Sequence, residues 1–208
     1  MRFAKASDSS SNEQLARVHA RRVAALRRLV LIRSTAFAPI CPRATRVLIL
    51  GSLPGAASLA AGRYYAHPQN QFWRLTGAVI GRDLSALAYE ARLAALGAAG
   101  IGLWDTVASA RRAGSLDSAL REVQSAALGD LVATLPDLRV IAFNGATAAR
   151  IGRQALSQTR LALLDLPSSS PAYAAMSFAA KAQRWKSLRE FLADPCDARP
   201  AMPDSLSS

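Results

Sequence analysis

Apolar residues along this chain fall into two kinds of segment. Some form short unbroken runs closed by a glycine or a polar turn; elsewhere they recur every three or four positions. Val47-Leu-Ile-Leu50, closed by Gly51, is of the first kind. It shows no apolar/polar alternation and is too short for a helix, as expected of a parallel strand covered on both faces. The same reasoning predicts strands over 46–50, 100–104, 138–143 and 161–164. Helical spacing begins near Gln69, with Phe72, Leu75, Thr76, Val79 and Ile80 on one stripe, and returns over 84–96, 146–156 and 181–192. Asp117 and Asp130 stand where N-caps belong, so 117–128 and 130–135 are also expected as helices. Leu15, Val18, Leu26 and Leu29 share a helical face interrupted by arginine, the mark of a peripheral helix. Four strands with helices between them predict an α/β fold: a three-layer α/β/α sandwich around a four-stranded parallel sheet.

That layout gathers four polar segments at one edge of the sheet, because each follows a strand: Gly51-Ser-Leu-Pro-Gly55, Asp105-Thr-Val107, Asn144-Gly145 and Pro167-Ser-Ser-Ser-Pro171. Open α/β sheets bind ligands outside the carboxyl ends of their strands. Tyr64, Tyr65, His67, Asn70, Phe72 and Trp73 arrive within ten residues, in a chain that is only 6% aromatic. Such a cluster suits a pocket for a flat, polar ring.

Composition narrows the setting. A length of 208 residues with 51% hydrophobic content fits one domain with a real core. The expected boundaries are a basic, partly disordered arm over 1–35, a domain over 36–193 and a disordered tail over 194–208. No apolar run reaches the roughly 18–20 residues that span a bilayer, and the polar start has no secretory core. Two cysteines supply neither a disulfide framework nor an iron–sulfur cluster, so a reduced, cytoplasmic protein without metal is expected. The net charge of +12 is uneven: nine arginines and Lys5 face only Asp8 and Glu13 within residues 1–46. Such an arm favours nucleic acid or an anionic surface; the alternatives are a start codon placed too far upstream or a solvated basic helix.

The motifs resemble a known group. Gly51-Ser-Leu-Pro-Gly55, Tyr64-Tyr-Ala-His-Pro-Gln-Asn-Gln-Phe-Trp73, Gly102-Leu-Trp-Asp-Thr-Val107 and Leu166-Pro-Ser-Ser-Ser-Pro-Ala172 are similar, in order, to those of the uracil-DNA glycosylase superfamily. The nearest likeness is to its hypoxanthine-DNA glycosylase branch, family six. The resemblance implies a monomeric, cofactor-free hydrolase that removes deaminated bases (uracil, hypoxanthine or xanthine) from double- or single-stranded DNA. It also implies catalysis on Asn70. Relatives with a Gly-x-Asn-Pro-Gly first motif have an amide or carboxylate where this chain has Leu53, and Leu166 stands where the best-known uracil enzymes have histidine.

The residue chemistry is compatible with that reading and leaves choices open. An amide such as Asn70 can hold a water against a forming sugar cation, or it can cap the helix that follows. Asp105 can accept the ring N–H that deamination creates, which adenine N1 and cytosine N3 lack, or it can form a turn. Tyr65 and Phe72 are candidates to stack on the base or to fill core, and His67 to donate to base or phosphate or to cap a turn. Gly51 and Ser52 offer backbone to the sugar or base, and Asn144 supports the site or its turn. Ser168, Ser169 and Ser170 suit a phosphate-gripping loop, with Pro171, Ala172 and Tyr173 as a wedge. No lysine lies in the motifs to form a Schiff base. Two rivals remain: a nucleotide or sugar-phosphate enzyme with a sheet-edge site, and a non-catalytic module that binds damaged DNA.

Overall fold

The computed structural model describes residues 32–112 and 114–193. Its strands are β1 (Ile32–Thr35), β2 (Val47–Gly51), β3 (Ile101–Asp105), β4 (Val107–Arg112), β5 (Arg121–Ser125), β6 (Val140–Asn144) and β7 (Ala162–Leu166). Its α-helices are α1 (Ala56–Ala61), α2 (Phe72–Ile80), α3 (Tyr89–Ala98), α4 (Leu128–Ala133), α5 (Ala146–Ala155), α6 (Phe178–Trp185) and α7 (Arg189–Leu192).

The main sheet has four strands in the order β3-β2-β6-β7, all parallel. β2 lies inside it and is buried along its whole length. Val47 and Ile49 face one helical layer, among Phe72, Trp73, Leu75, Val79 and Trp185. Leu48 and Leu50 face the other, among Leu135, Ile141, Phe143 and Ala148. Burial on both faces is why the run is apolar without alternation. The second layer sits close: a Cβ on Gly152 of α5 would fall 2.2 Å from Phe143 Cε1, so glycine lets the helix rest on the ring.

A second, three-stranded antiparallel sheet, β1-β4-β5, was not expected. The chain does not turn away after Asp105 but runs on into β4, which pairs with Ile32–Thr35 from the segment assigned to the arm. The helix expected over 117–128 is instead a 3₁₀ turn, Asp117–Ala119, followed by β5. Every residue of β5 is exposed, so the strand has no buried face to leave an alternating pattern; pairing with β4 overrides the capping signal. Leu120 and Ala126 at its ends are buried.

Smaller differences have local causes. The helix expected over 84–96 begins at Tyr89, because Leu84 and Leu87 close a turn in which the Leu87 N–H donates to the Leu84 carbonyl. The last helix starts earlier, at Phe178, where Ser177 caps it by accepting from the Ala180 N–H. α1 arose unannounced directly after the first motif, with Gly55 as its N-cap. The peripheral helix at Leu15–Leu29, the rest of the arm and the 194–208 tail lie outside the described residues. No helix among the described residues is long and apolar enough to cross a membrane.

Candidate active site

The four strand ends and the aromatic segment meet around one cleft of about 660 Å³. Its floor is where β2 and β3 end side by side, with Gly51 paired in register with Asp105. A Cβ at position 51 would lie 2.5 Å from Asp105 Oδ1 and 3.2 Å from the Tyr65 hydroxyl, so only glycine leaves room for both side chains. Asp105 is 3% exposed, and its Oδ2 has no hydrogen-bond partner among the described residues. Burial drives its pKa up to about 7; the Tyr64 hydroxyl opposes the rise, Asp117 adds to it and Arg112 opposes it. A buried acceptor with a vacant lone pair is costly unless a ligand fills it.

Tyr65 forms one wall. It is half-buried and held in the left-handed region (φ 52°), an uncommon conformation for a non-glycine residue and one that clusters at functional sites. Phe72 does not line the cleft. It is fully buried at the start of α2 and stacks behind Tyr65, ring centroids 3.6 Å apart and planes 7° from parallel. The base contact expected of Phe72 therefore becomes support for Tyr65.

Asn144 ties the walls together. Its Nδ2 donates to Ser169 Oγ (2.9 Å) and to the Tyr65 hydroxyl (3.4 Å), while its Oδ1 accepts from the Ser169 N–H (2.8 Å). Ser169 is 1% exposed and committed to this contact, not to phosphate. Ser168 Oγ accepts from the Ser170 N–H, and Ser170 Oγ from the Ala172 N–H, so these hydroxyls fold the loop. Pro171, Ala172 and Tyr173 stand exposed beyond it, with Lys181 Nζ donating to the Tyr173 carbonyl at 2.8 Å. Asn144→Ala is expected to cost about 1–3 kcal/mol, because it orphans buried groups on both walls; chemical denaturation measures it.

Asn70 both caps and lines the cleft. Its Oδ1 accepts from the Phe72 N–H (3.0 Å), while the Gln71 N–H donates to the Ser169 carbonyl (3.0 Å), docking the start of α2 on the serine loop. One lone pair of Oδ1 remains, on an amide whose orientation is already fixed. His67 Nδ1 accepts from the Gln69 N–H at 3.2 Å, which leaves Nε2 as the protonated nitrogen of the neutral ring. Leu53 is buried with Val107, Ala110 and Ile151, a packing position without chemistry.

Three further residues escaped the sequence reading. Asp117 accepts from the Ser52 hydroxyl at 2.7 Å, so Ser52 is tied to the β4–β5 hairpin. Arg112 is 3% exposed and donates through Nη2 to the Pro54 carbonyl, while its Nε and Nη1 have no partner among the described residues. Leu116 rises beside them at the mouth of the cleft. The turn signal Gly114-Ser115 could have suggested a hairpin, but nothing local placed it against the first motif. No group of three or more metal-ligating side chains is found among the described residues.

A family model described as the uracil DNA glycosylase superfamily matches residues 38–191. The chain belongs to this superfamily. As a superfamily member it is a DNA glycosylase, acting on DNA by hydrolysis of an N-glycosidic bond. A protein of Methanosarcina barkeri (strain Fusaro) named hypoxanthine DNA glycosylase is 41% identical over 109 residues, covering 52% of this chain and 69% of that protein. A Methanosarcina acetivorans protein of the same name is 41% identical over 112 residues, covering 54% of this chain and 71% of its own length. The solution NMR structure of a candidate uracil DNA glycosylase from Methanosarcina acetivorans superposes with a TM-score of 0.70 at 34% identity, covering 77% of this chain and 99% of that one. The three-layer fold of this glycosylase is thus the one that its strand pattern predicted.

Proposed function

We propose that this glycosylase removes hypoxanthine from DNA as its leading substrate, with uracil and xanthine as further deaminated bases, and that Asn70 and Asp105 carry the reaction. The observation that carries the reading is the buried, unpartnered Asp105 oxygen on the floor of the cleft. A base flipped from the stack lies on the Tyr65 ring, which Phe72 holds flat from behind. As a carboxylate, Asp105 accepts hypoxanthine N1–H or uracil N3–H; adenine and cytosine bring only a lone pair there and leave the carboxylate unmatched. The name hypoxanthine DNA glycosylase carried by two relatives supports placing hypoxanthine first.

In the chemical step the second lone pair of Asn70 Oδ1 accepts a hydrogen bond from water and aims its oxygen at C1′. The C1′–N bond breaks with its electron pair leaving on the base, the water oxygen bonds to C1′, and the base takes up the proton released. An amide is too weak a base to drive this alone, so its contribution is position, and its carbonyl dipole faces the growing positive charge on the sugar. Pro171, Ala172 and Tyr173 fill the gap left in the stack. The His67 Nε2–H is available as a donor to the departing base.

The test is strand scission after alkali. Labelled duplexes carrying hypoxanthine, uracil, xanthine or adenine are incubated with the purified protein, with and without alkali. Breaks at hypoxanthine only after alkali, and none at adenine, are expected. No break on any substrate rejects the reading, and breaks without alkali reject the hydrolytic mechanism.

A further inference from the structure

Only three large apolar side chains stand exposed among the described residues: Leu116 (57%), Val123 (40%) and Tyr173 (39%). Two of them, Leu116 and Tyr173, line the mouth of the cleft. They come from opposite edges of the main sheet: the β4–β5 hairpin continues from β3, and the 167–173 loop follows β7, in the order β3-β2-β6-β7. A cleft flanked on both sides by a raised apolar side chain is built to meet something with an apolar interior.

Leu116 is also held in place. On one side Ser115 Oγ accepts from the Ala56 N–H at 3.0 Å; on the other Asp117 accepts from the Ser52 hydroxyl at 2.7 Å. The Leu116 carbonyl accepts from the Ala119 N–H at 3.1 Å, and buried Arg112 beneath binds the Pro54 carbonyl. Asp117 is tethered to the first motif and Ser115 to the first residue of α1, while the leucine between them touches solvent. Here its height above the cleft is fixed.

We propose that Leu116 is a second wedge, entering the base stack from the hairpin side of the cleft, and that paired, stacked DNA is accordingly the substrate this glycosylase is shaped for. The inference rests on the reading above. Extruding a base leaves an apolar gap between its neighbours, and apolar side chains that enter such gaps offset the cost of unstacking. Tyr173 fills from one side and Leu116 supports from the other. In an unpaired bubble around the damaged base little stacking opposes extrusion, so the wedge contributes little there.

Leu116→Ala is expected to lower kcat/KM for hypoxanthine in a fully paired duplex by about ten- to a hundredfold, from the apolar burial lost, and to lower the duplex-to-bubble ratio of kcat/KM by about tenfold or more. Leu116→Met recovers most of the loss. In a duplex carrying a tetrahydrofuran abasic analogue beside 2-aminopurine, the wild-type chain raises the fluorescence by unstacking the reporter, and Leu116→Ala raises it less. Equal losses on duplex and bubble, or an unchanged fluorescence rise with Leu116→Ala, overturn the wedge while base release by the wild type keeps the glycosylase reading intact. Absence of base release from duplex and bubble alike overturns the glycosylase reading and the wedge with it.

Discussion

Asn70→Ala is expected to reduce kcat for hypoxanthine release by about 10²–10³, the usual size when one preorganised polar group facing the transition state is removed. KM should change little, because the base is held by Tyr65 and Asp105 rather than by this amide, so kcat and kcat/KM fall together. The variant also loses the acceptor for the Phe72 N–H, a capping contact worth about 1 kcal/mol. A thermal melt separates the two effects: stability falls modestly, while activity falls far more than the unfolded fraction can explain. Asn70→Asp keeps an oxygen for the Phe72 N–H and for water, and is expected to keep most of the activity. If Asn70→Ala releases hypoxanthine at the wild-type rate, water is held elsewhere.

Asp105→Asn is expected to be the more revealing change, because it acts on discrimination and on pH dependence together. The amide can donate to the lone pair of adenine N1, so the preference for hypoxanthine over adenine is expected to fall by about a hundredfold or more. Wild-type activity needs the carboxylate form, so its rate should rise with pH through about 7 and level off above, and Asp105→Asn should lack that limb. Stability moves the other way. In the folded chain burial raises the Asp105 pKa above its ordinary value, so the folded state holds the proton more tightly than the unfolded one. The resulting stabilisation is full below about pH 4 and is lost as pH rises through about 7. Asp105→Asn cannot ionise, so its melting temperature should exceed that of the wild type at pH 8, with the gap closing toward pH 4. A variant that loses selectivity while gaining stability at high pH is the signature of a functional charge kept at a cost. A gap that does not vary with pH contradicts the buried, titrating carboxylate.

The parallel sheet was legible in the sequence because both its faces are covered. Val47-Leu-Ile-Leu50 must satisfy two apolar layers, which leaves an unbroken apolar run whose shortness and closing glycine mark a strand. The second sheet was not. β5 has no buried face, β1 sits at the edge of a segment dominated by arginine, and β4 follows β3 after the single residue Thr106, which read as a turn. The same contrast holds at the site. Gly51, Asp105 and Asn144 end strands, so sheet topology alone brings them together. Arg112, Leu116 and Asp117 reach the cleft only because the hairpin folds back on Ser52, Pro54 and Ala56, a tertiary return without local signal. Phe72, open between base and core, and Ser169, expected in a phosphate-gripping loop, are both buried, since an apolar stripe or a serine run does not say which member faces inward.

The most direct test of hydrolysis at this cleft is the release of free base in ¹⁸O-labelled water. Wild-type protein and a duplex carrying one deoxyinosine are incubated, and both products are weighed by mass spectrometry. Free unlabelled hypoxanthine is predicted, with one ¹⁸O on the abasic sugar, a slower release below pH 7, and a release slowed about 10²–10³-fold in Asn70→Ala. No free hypoxanthine from the wild-type chain, or equal release by wild type and Asn70→Ala, contradicts the account.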